Sequence, residues 1–379
     1  MKFATKDRII VVLSTAKLNL AAVVPMLLEQ TNHKIIIVTT KENVLNDSFI
    51  KVNIIEKEGE FSYNVKCLTT KKEYDLFLSS NNERVGIIGK ESVLFEKAVT
   101  DSGFIFSACR VGTFSYIEKI NSIYWDAQDI KVMEILDNDS TIAEIVEGKN
   151  THKNLLIAPA TVHCICLSNK EEDNQFFLTC GEDRDYYFSP KGTSFRNACN
   201  KKKMFESKYL LKFALTDEEY LFYKEVKVID INAIHSLLCA FCYVGGINEG
   251  KDYKDVADSA MNERLEYEFA ISVALYVHRK MYYDLVSSIS EKHQIGALEY
   301  LYEEDAHAKK CQNFVSHLFE QNDIVGRGLN PDKKEEFKVK KRRHLDYITK
   351  CMETIHEPRA MWIQATLSEF NKIFVEQIQ

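Results

Sequence analysis

Apolar residues fall in two different rhythms along this chain. Arg8-Ile-Ile-Val-Val-Leu13 is a short unbroken run rich in β-branched side chains. A strand buried on both faces has this pattern, and it predicts a central parallel strand. Ser14-Thr-Ala-Lys-Leu-Asn19 interrupts the run, Leu20 to Gln30 has helix-compatible spacing, and Lys34-Ile-Ile-Ile-Val38 is a second β run. Strand, helix and strand within about thirty residues make a βαβ unit, whose crossover is right-handed. Further strands are expected at Val52 to Ile55, Tyr74 to Leu78, Arg84 to Ile88 and Ile130 to Leu136, with a helix over Glu91 to Ser102. The run Leu155-Leu-Ile-Ala-Pro159 and the aromatic cluster Tyr186-Tyr-Phe188 close this part of the chain. The alternation describes an α/β sheet domain of the Rossmann class.

From Thr216 the rhythm changes. Thr216-Asp-Glu-Glu219 has the form of a capping box, and helical periodicity continues to Gln379 with breaks at Gly245-Gly246, Gly326 to Pro331 and Pro358. The expected architecture is therefore an α/β N-terminal Rossmann-like domain over residues 1–195 followed by a mainly α-helical C-terminal domain over 196–379. A chain of 379 residues is too long for one ordinary core. With no internal repeat or low-complexity linker, the two domains are expected to meet across a cleft.

Composition adds exclusions. With 45% hydrophobic and 28% charged residues the chain is globular rather than disordered. A formal charge of −7 argues against a nucleic-acid partner, which demands a basic face. The runs Lys201 to Lys203 and Lys338 to Arg343 read as solvated surface. No stretch reaches the roughly 18 apolar residues of a membrane span, and no signal-peptide pattern opens the chain. Ten scattered cysteines fit a reducing compartment, so a cytoplasmic location without membrane attachment is expected. The close pairs are Cys164 with Cys166 and Cys239 with Cys242; the latter sits in an apolar helix-like run and reads as structural thiols.

The chemistry-bearing residues with the most informative spacing are Lys227, Asn232 and His235. On a helix, Asn232 lies about 140° and His235 about 80° around the axis from Lys227, so one face can present all three. A desolvated lysine can exchange a hydroxyl proton, an asparagine amide can donate to an oxygen gaining charge, and a histidine can hold that oxygen or its neighbour. None of these roles needs a metal. Spacing alone equally allows a surface lysine, a polar accident inside a helix and a histidine at the core edge.

The Lys-x-x-x-x-Asn-x-x-His pattern, followed by an apolar helix ending Tyr243-Val-Gly-Gly246, resembles the signature of the polyol-specific long-chain dehydrogenases and reductases, the family of mannitol dehydrogenase and mannitol-1-phosphate 5-dehydrogenase. The resemblance implies a general acid/base role for Lys227, oxyanion stabilisation for Asn232 and substrate orientation for His235. Leu136-Asp-Asn138 resembles the family's acidic-Asn element, which makes Asn138 a second amide donor. Where members carry Val-Asp-Arg this chain has His163 and Cys164, and adjacent strand residues point to opposite faces, which spoils a Cys–His pair. The implied activity is an NAD(P)-dependent oxidoreductase interconverting a polyol, or polyol phosphate, and a ketose; its partner would be that small molecule.

The nucleotide loop departs from that pattern. A dinucleotide site of this class carries glycines after the first strand, so that the chain turns tightly and the pyrophosphate approaches the backbone. Here Ser14-Thr-Ala-Lys-Leu-Asn19 has none. Ser14, Thr15 and Asn19 offer caps and hydrogen bonds, and Lys17 offers charge. At the end of the second strand Thr39-Thr-Lys41 replaces the usual ribose-binding acid, which favours NADP over NAD through Lys41. The loss of glycine equally supports an alternative: a non-catalytic descendant of the fold that binds a ligand or assists assembly after losing the dinucleotide site.

Overall fold

The computed structural model describes residues 9–227 apart from 57–58, 110–111, 127, 137–140, 165, 173–174 and 182–183. By chain contacts it divides into two compact units, Met1–Leu221 and Phe222–Gln379. The division falls beyond residue 195, the boundary expected from sequence, because the segments after 195 still add to the first unit's sheet and helices.

That unit opens with β1 (Ile9–Leu13), a π-helical turn (Asn19–Val23) running into α1 (Val24–Gln30), and β2 (Lys34–Thr39). It continues through β3 (Phe49–Glu56), β4 (Gly59–Cys67), α2 (Lys71–Ser79), β5 (Val85–Gly89), α3 (Val93–Asp101), β6 (Ser102–Ser107), α4 (Gly112–Ile120), β7 (Lys131–Leu136), α5 (Thr141–Lys149) and β8 (Leu155–His163). Then follow β9 (Cys166–Glu172), β10 (Gln175–Cys180), β11 (Asp185–Phe188), α6 (Thr193–Ala198), α7 (Lys201–Glu206), β12 (Leu210–Phe213) and α8 (Asp217–Lys227), which begins in the first unit and ends in the second. No described helix is long and apolar enough to cross a membrane.

Six strands in the order β5-β2-β1-β6-β7-β8 pair in parallel throughout. In sequence terms this is the doubly wound Rossmann order, with β1 at the centre and the reversal between β1 and β6. β1, β2 and β6 are buried along nearly their whole length, as unbroken apolar runs covered on both faces must be. The Tyr74 to Leu78 segment, expected as a strand, is instead the middle of α2. Thr70 caps this helix reciprocally with Glu73, and Tyr74 and Phe77, three residues apart, are its buried stripe. The expected cap at Thr216 is present: its hydroxyl accepts from the Glu219 amide, while the Glu219 carboxylate accepts from Leu215 N–H.

β11, antiparallel to β8, and β12 extend the sheet past β8, and the remaining strands continue it past β5. β4 shares only Lys66↔Gly86 and Cys67↔Ile87 with β5, and β3, β10 and β9 follow in order. This second layer packs over the helical segment after β1: β10 meets the π-helical turn, and the Tyr63 hydroxyl of β4 donates to the Leu20 carbonyl at 2.7 Å. Asn19 to Leu27 are consequently buried on every side. A helix between two layers must be apolar all round, and this one is, apart from Asn19. Glu56, ending β3, accepts hydrogen bonds from Arg184 and Lys208 and ties the layer to the chain around β11 and β12.

One buried acid lies within the parallel sheet. Glu134 of β7 sits between Phe106 and Ala158 of its neighbours, is fully enclosed, and neither carboxyl oxygen has a hydrogen-bond partner among the described residues. Gly192 lies directly over it: a Cβ there would come within 2.6 Å of Oε1. Burial pushes the Glu134 carboxyl well above the ordinary carboxylate range, so folding favours its protonated form. A raised acid contributes fully below its unfolded value and loses that contribution as pH rises towards the folded one. Urea unfolding from about pH 5 to about pH 8 is therefore expected to show stability falling more steeply with pH in the native chain than in Glu134→Gln. Parallel profiles would mean that the group is ionised in the fold.

Candidate functional site

In an open α/β sheet, ligands gather outside the carboxyl ends of the strands where the strand order reverses. In this chain that point is formed by Leu13 of β1, its neighbours Val38 and Thr39 of β2, and Ser107 of β6.

The turn after β1 is built by two residues. Ser14 has φ 78°, the left-handed region that favours glycine, and is the only non-glycine residue with positive φ among those described. Its N–H donates to the Val38 carbonyl at 2.9 Å, so the turn begins as an extension of the sheet. Five residues on, the buried Asn19 amide donates to the carbonyls of Leu13 and Ser14 and to the Ser14 hydroxyl at 3.2 Å. Asn19 thereby satisfies a strand end that would otherwise present bare carbonyls to the helix beside it. Counted from Ser14, the spacing places Ser14, Ala16 and Asn19 where a Gly-x-Gly-x-x-Gly loop has its glycines. The first position keeps the conformation glycine serves, the second adds a single methyl, and the third exchanges close helix–strand packing for side-chain hydrogen bonds.

Beyond the turn the helix is widened. Val24 N–H bonds back to the Asn19 carbonyl, a five-residue step, and Pro25 follows. The proline ring and its missing N–H disfavour a regular α-turn there, and the π-helical register accommodates both.

At the end of β2, Thr39 is buried and its hydroxyl accepts from Lys41 N–H at 3.0 Å. Lys41 itself is exposed, with its ammonium 5.7 Å from the Phe176 ring. Lys90 follows β5, donates its N–H to the Thr39 carbonyl at 2.7 Å and carries its ammonium 5.0 Å from the Tyr116 ring. At the end of β6, Ser107, Cys109 and Thr113 form a small polar knot. The two hydroxyls are 2.8 Å apart, and the Cys109 sulfur lies 3.2 Å from Ser107. Sequence reading missed Lys90 and this knot; their signal is position alone, at the carboxyl ends of parallel strands.

Of the residues singled out from sequence, the fold brings Ser14, Thr15, Asn19, Thr39 and Lys41 to the two strand ends that flank the turn. Lys227 ends α8. Asn138, Asn232 and His235 lie outside the described residues. The His163 ring packs on Tyr187 at 4.8 Å, and Cys164 packs against the core that holds Cys166 and Cys180.

The turn fits a dinucleotide pyrophosphate in its backbone course and in the smallness of Ala16. One donor is already engaged: the Ser14 hydroxyl accepts from Ala16 N–H at 3.2 Å, an amide of the kind that would meet phosphate. Cations stand near in Lys17, Lys41 and Lys90.

No protein-family model matches the chain, and no curated protein matches it. Among solved structures it is similar to a D-mandelate dehydrogenase in complex with NADH, at 9% identity with a TM-score of 0.43, over 98% of this chain and 98% of that one. It is also similar to a 2-dehydropantoate 2-reductase from Geobacter metallireducens GS-15, at 9% identity with a TM-score of 0.44, over 95% of this chain and 99% of that one. At such identities and TM-scores the likeness carries no argument, and the fold is assigned from the strand order alone.

The two turn residues make opposite demands on substitution. Asn19→Ala strips the Leu13 and Ser14 carbonyls of their buried donor and is expected to lower unfolding free energy by about 1–3 kcal/mol in urea titrations. Ser14→Gly exchanges two hydrogen bonds for relief of a strained φ and is expected to stay within about 1 kcal/mol of the parent. The reverse ranking would show that the turn is held by Ser14.

Proposed function

We propose that this chain is an NADP(H)-using oxidoreductase that interconverts a secondary alcohol and a ketone on a polyol or polyol phosphate. The observation that supports it best is the turn after β1, which keeps the left-handed first residue of a dinucleotide loop at the reversal point of a Rossmann sheet. The nucleotide phosphates would rest on the turn from Ser14 to Leu18, with Lys17 close by. Thr39 and Lys41 at the end of β2 favour a 2′-phosphorylated ribose, since Thr39-Thr-Lys41 carries no carboxylate to take up a ribose hydroxyl.

Bound nicotinamide would supply the hydride acceptor and donor. The chain's own part rests on the polyol-family resemblance. Lys227 takes the substrate hydroxyl proton at Nζ in the oxidative direction and returns it in the reductive one. Asn232 and Asn138 donate amide N–H groups to the oxygen as charge builds on it, and His235 holds that oxygen or the neighbouring hydroxyl.

Binding is the first test. NADPH is expected to bind at least about tenfold more tightly than NADH in fluorescence titrations, a difference of about 1.4 kcal/mol, and Lys41→Glu is expected to abolish that preference. Equal affinities would remove the role given to Lys41. Binding of neither nucleotide would end the oxidoreductase reading in favour of a non-catalytic ligand-binding or assembly protein. Given binding and turnover on ketose phosphates, Lys227→Ala is expected to lower kcat by about a hundredfold or more with NADPH affinity unchanged. Retained turnover would displace Lys227 as the acid/base.

A further inference from the structure

Three cysteines that the proposed reaction does not use meet at one place. Cys164 follows the last residue of β8, Cys166 opens β9, and Cys180 ends β10 directly across the antiparallel ladder from Cys166. Their sulfurs form a closed triangle with sides of 3.2 Å (Cys164 to Cys180), 3.6 Å (Cys164 to Cys166) and 3.8 Å (Cys166 to Cys180). Cys166 and Cys180 are buried and Cys164 is partly so, all against the same core.

All three sides are well beyond a bonded sulfur pair, from 3.2 to 3.8 Å. A disulfide would draw two sulfurs to about 2.05 Å and strand the third. Three thiolates at about 2.3 Å from a tetrahedral zinc ion stand about 3.8 Å apart, which the two sides at Cys166 match and the Cys164 to Cys180 side, at 3.2 Å, reaches by a small outward shift. A second feature points to the same place. The Tyr186 hydroxyl is enclosed, has no hydrogen-bond partner among the described residues and belongs to the same core as the three sulfurs. A ligand completing the coordination would give it one.

Charge decides between ions. Arg184 is almost fully buried, interacts with Cys180, and is paired with Glu56 at 2.7 Å; Lys208 holds the other Glu56 oxygen. Three thiolates with a divalent ion leave one negative charge beside Arg184, whereas a monovalent ion leaves two, which burial disfavours further. Soft sulfur ligands in a tetrahedral arrangement select zinc among the common divalent ions.

We propose that Cys164, Cys166 and Cys180 bind one zinc ion as a three-thiolate site that fastens the end of β8 and the start of β9 to the end of β10. The proposal stands apart from the oxidoreductase reading, since no residue is shared between the two sites.

The test uses the full chain prepared under reducing conditions. Elemental analysis is expected to find about one zinc per chain, and X-ray absorption at the zinc edge three sulfur neighbours at about 2.3 Å. Exchange with cobalt(II) is expected to give a thiolate-to-metal charge-transfer band. Cys164→Ser should weaken that band by about a third, one ligand of three, and Cys180→Ser should lower zinc retention at least tenfold. Cys199→Ser, at a buried thiol away from the triangle, should change neither. Zinc retained unchanged in Cys164→Ser and Cys180→Ser, a native chain that takes up no zinc or cobalt, or a disulfide among the three with no metal bound after reduction would each overturn the site. Should the serine variants fail to fold, the absorption measurement on the native chain decides alone, and fewer than three sulfur neighbours would overturn the assignment.

Discussion

Enclosure of the segment after β1 is the constraint on which the first unit depends. Asn19 to Leu27 lose their water to the parallel sheet on one side and to the β3, β4 and β10 layer on the other. A helix covered from both sides has no amphipathic stripe to set its rotation. Its position is fixed instead by a few directional bonds: Asn19 to the end of β1, the Tyr63 hydroxyl to Leu20, and the Gln30 carbonyl accepting from Asn200 at 2.7 Å. Apolar burial supplies the bulk of the stabilisation and has no direction, so these bonds choose one arrangement among many equally dry ones.

The turn at Ser14 inherits that rigidity. A serine held at positive φ costs free energy, and such a residue persists only where its surroundings over-determine it. Here the Val38 carbonyl holds the serine's N–H and Asn19 holds its carbonyl, so the backbone follows the path of a glycine loop without a glycine. The shape of the loop is therefore separable from its composition. What glycine would also provide, an unobstructed approach to the Ala16 amide, is the part this chain has exchanged for internal hydrogen bonding.

Much of the sheet was legible because its central strands are covered on both faces. Ile9 to Leu13 and Lys34 to Val38 read as short apolar β runs, and the helix expected over Glu91 to Ser102 is α3. The second layer was less legible. β3 and β4 face solvent on one side and alternate, and β9 carries Lys170, Glu171 and Glu172, so only Val52 to Ile55 stood out. Tyr74 to Leu78 misled because its aromatic and apolar residues suit a strand, while the Thr70 and Glu73 cap that decides the matter lies just before and at its start. Within the site, Ser14, Asn19, Thr39 and Lys41 followed from position along a βαβ unit. Lys90 and the Ser107, Cys109 and Thr113 knot did not, because they become neighbours only once the strand order is known. The sulfur triangle was half visible: Cys164 and Cys166 formed a close pair, but Cys180 joins them through the β9–β10 register.

The two-rung seam between β4 and β5 bears on how such a chain is made. During synthesis β1, α1 and β2 leave the ribosome early, yet the strand that completes their cover, β10, lies more than a hundred residues downstream. Until it emerges, part of the apolar segment from Leu20 to Leu27 has nothing but solvent or a chaperone against it. Nascent chains that expose such surface aggregate readily, so the yield of this protein should depend on elongation speed across β3 to β10 more than on the final stability of its fold.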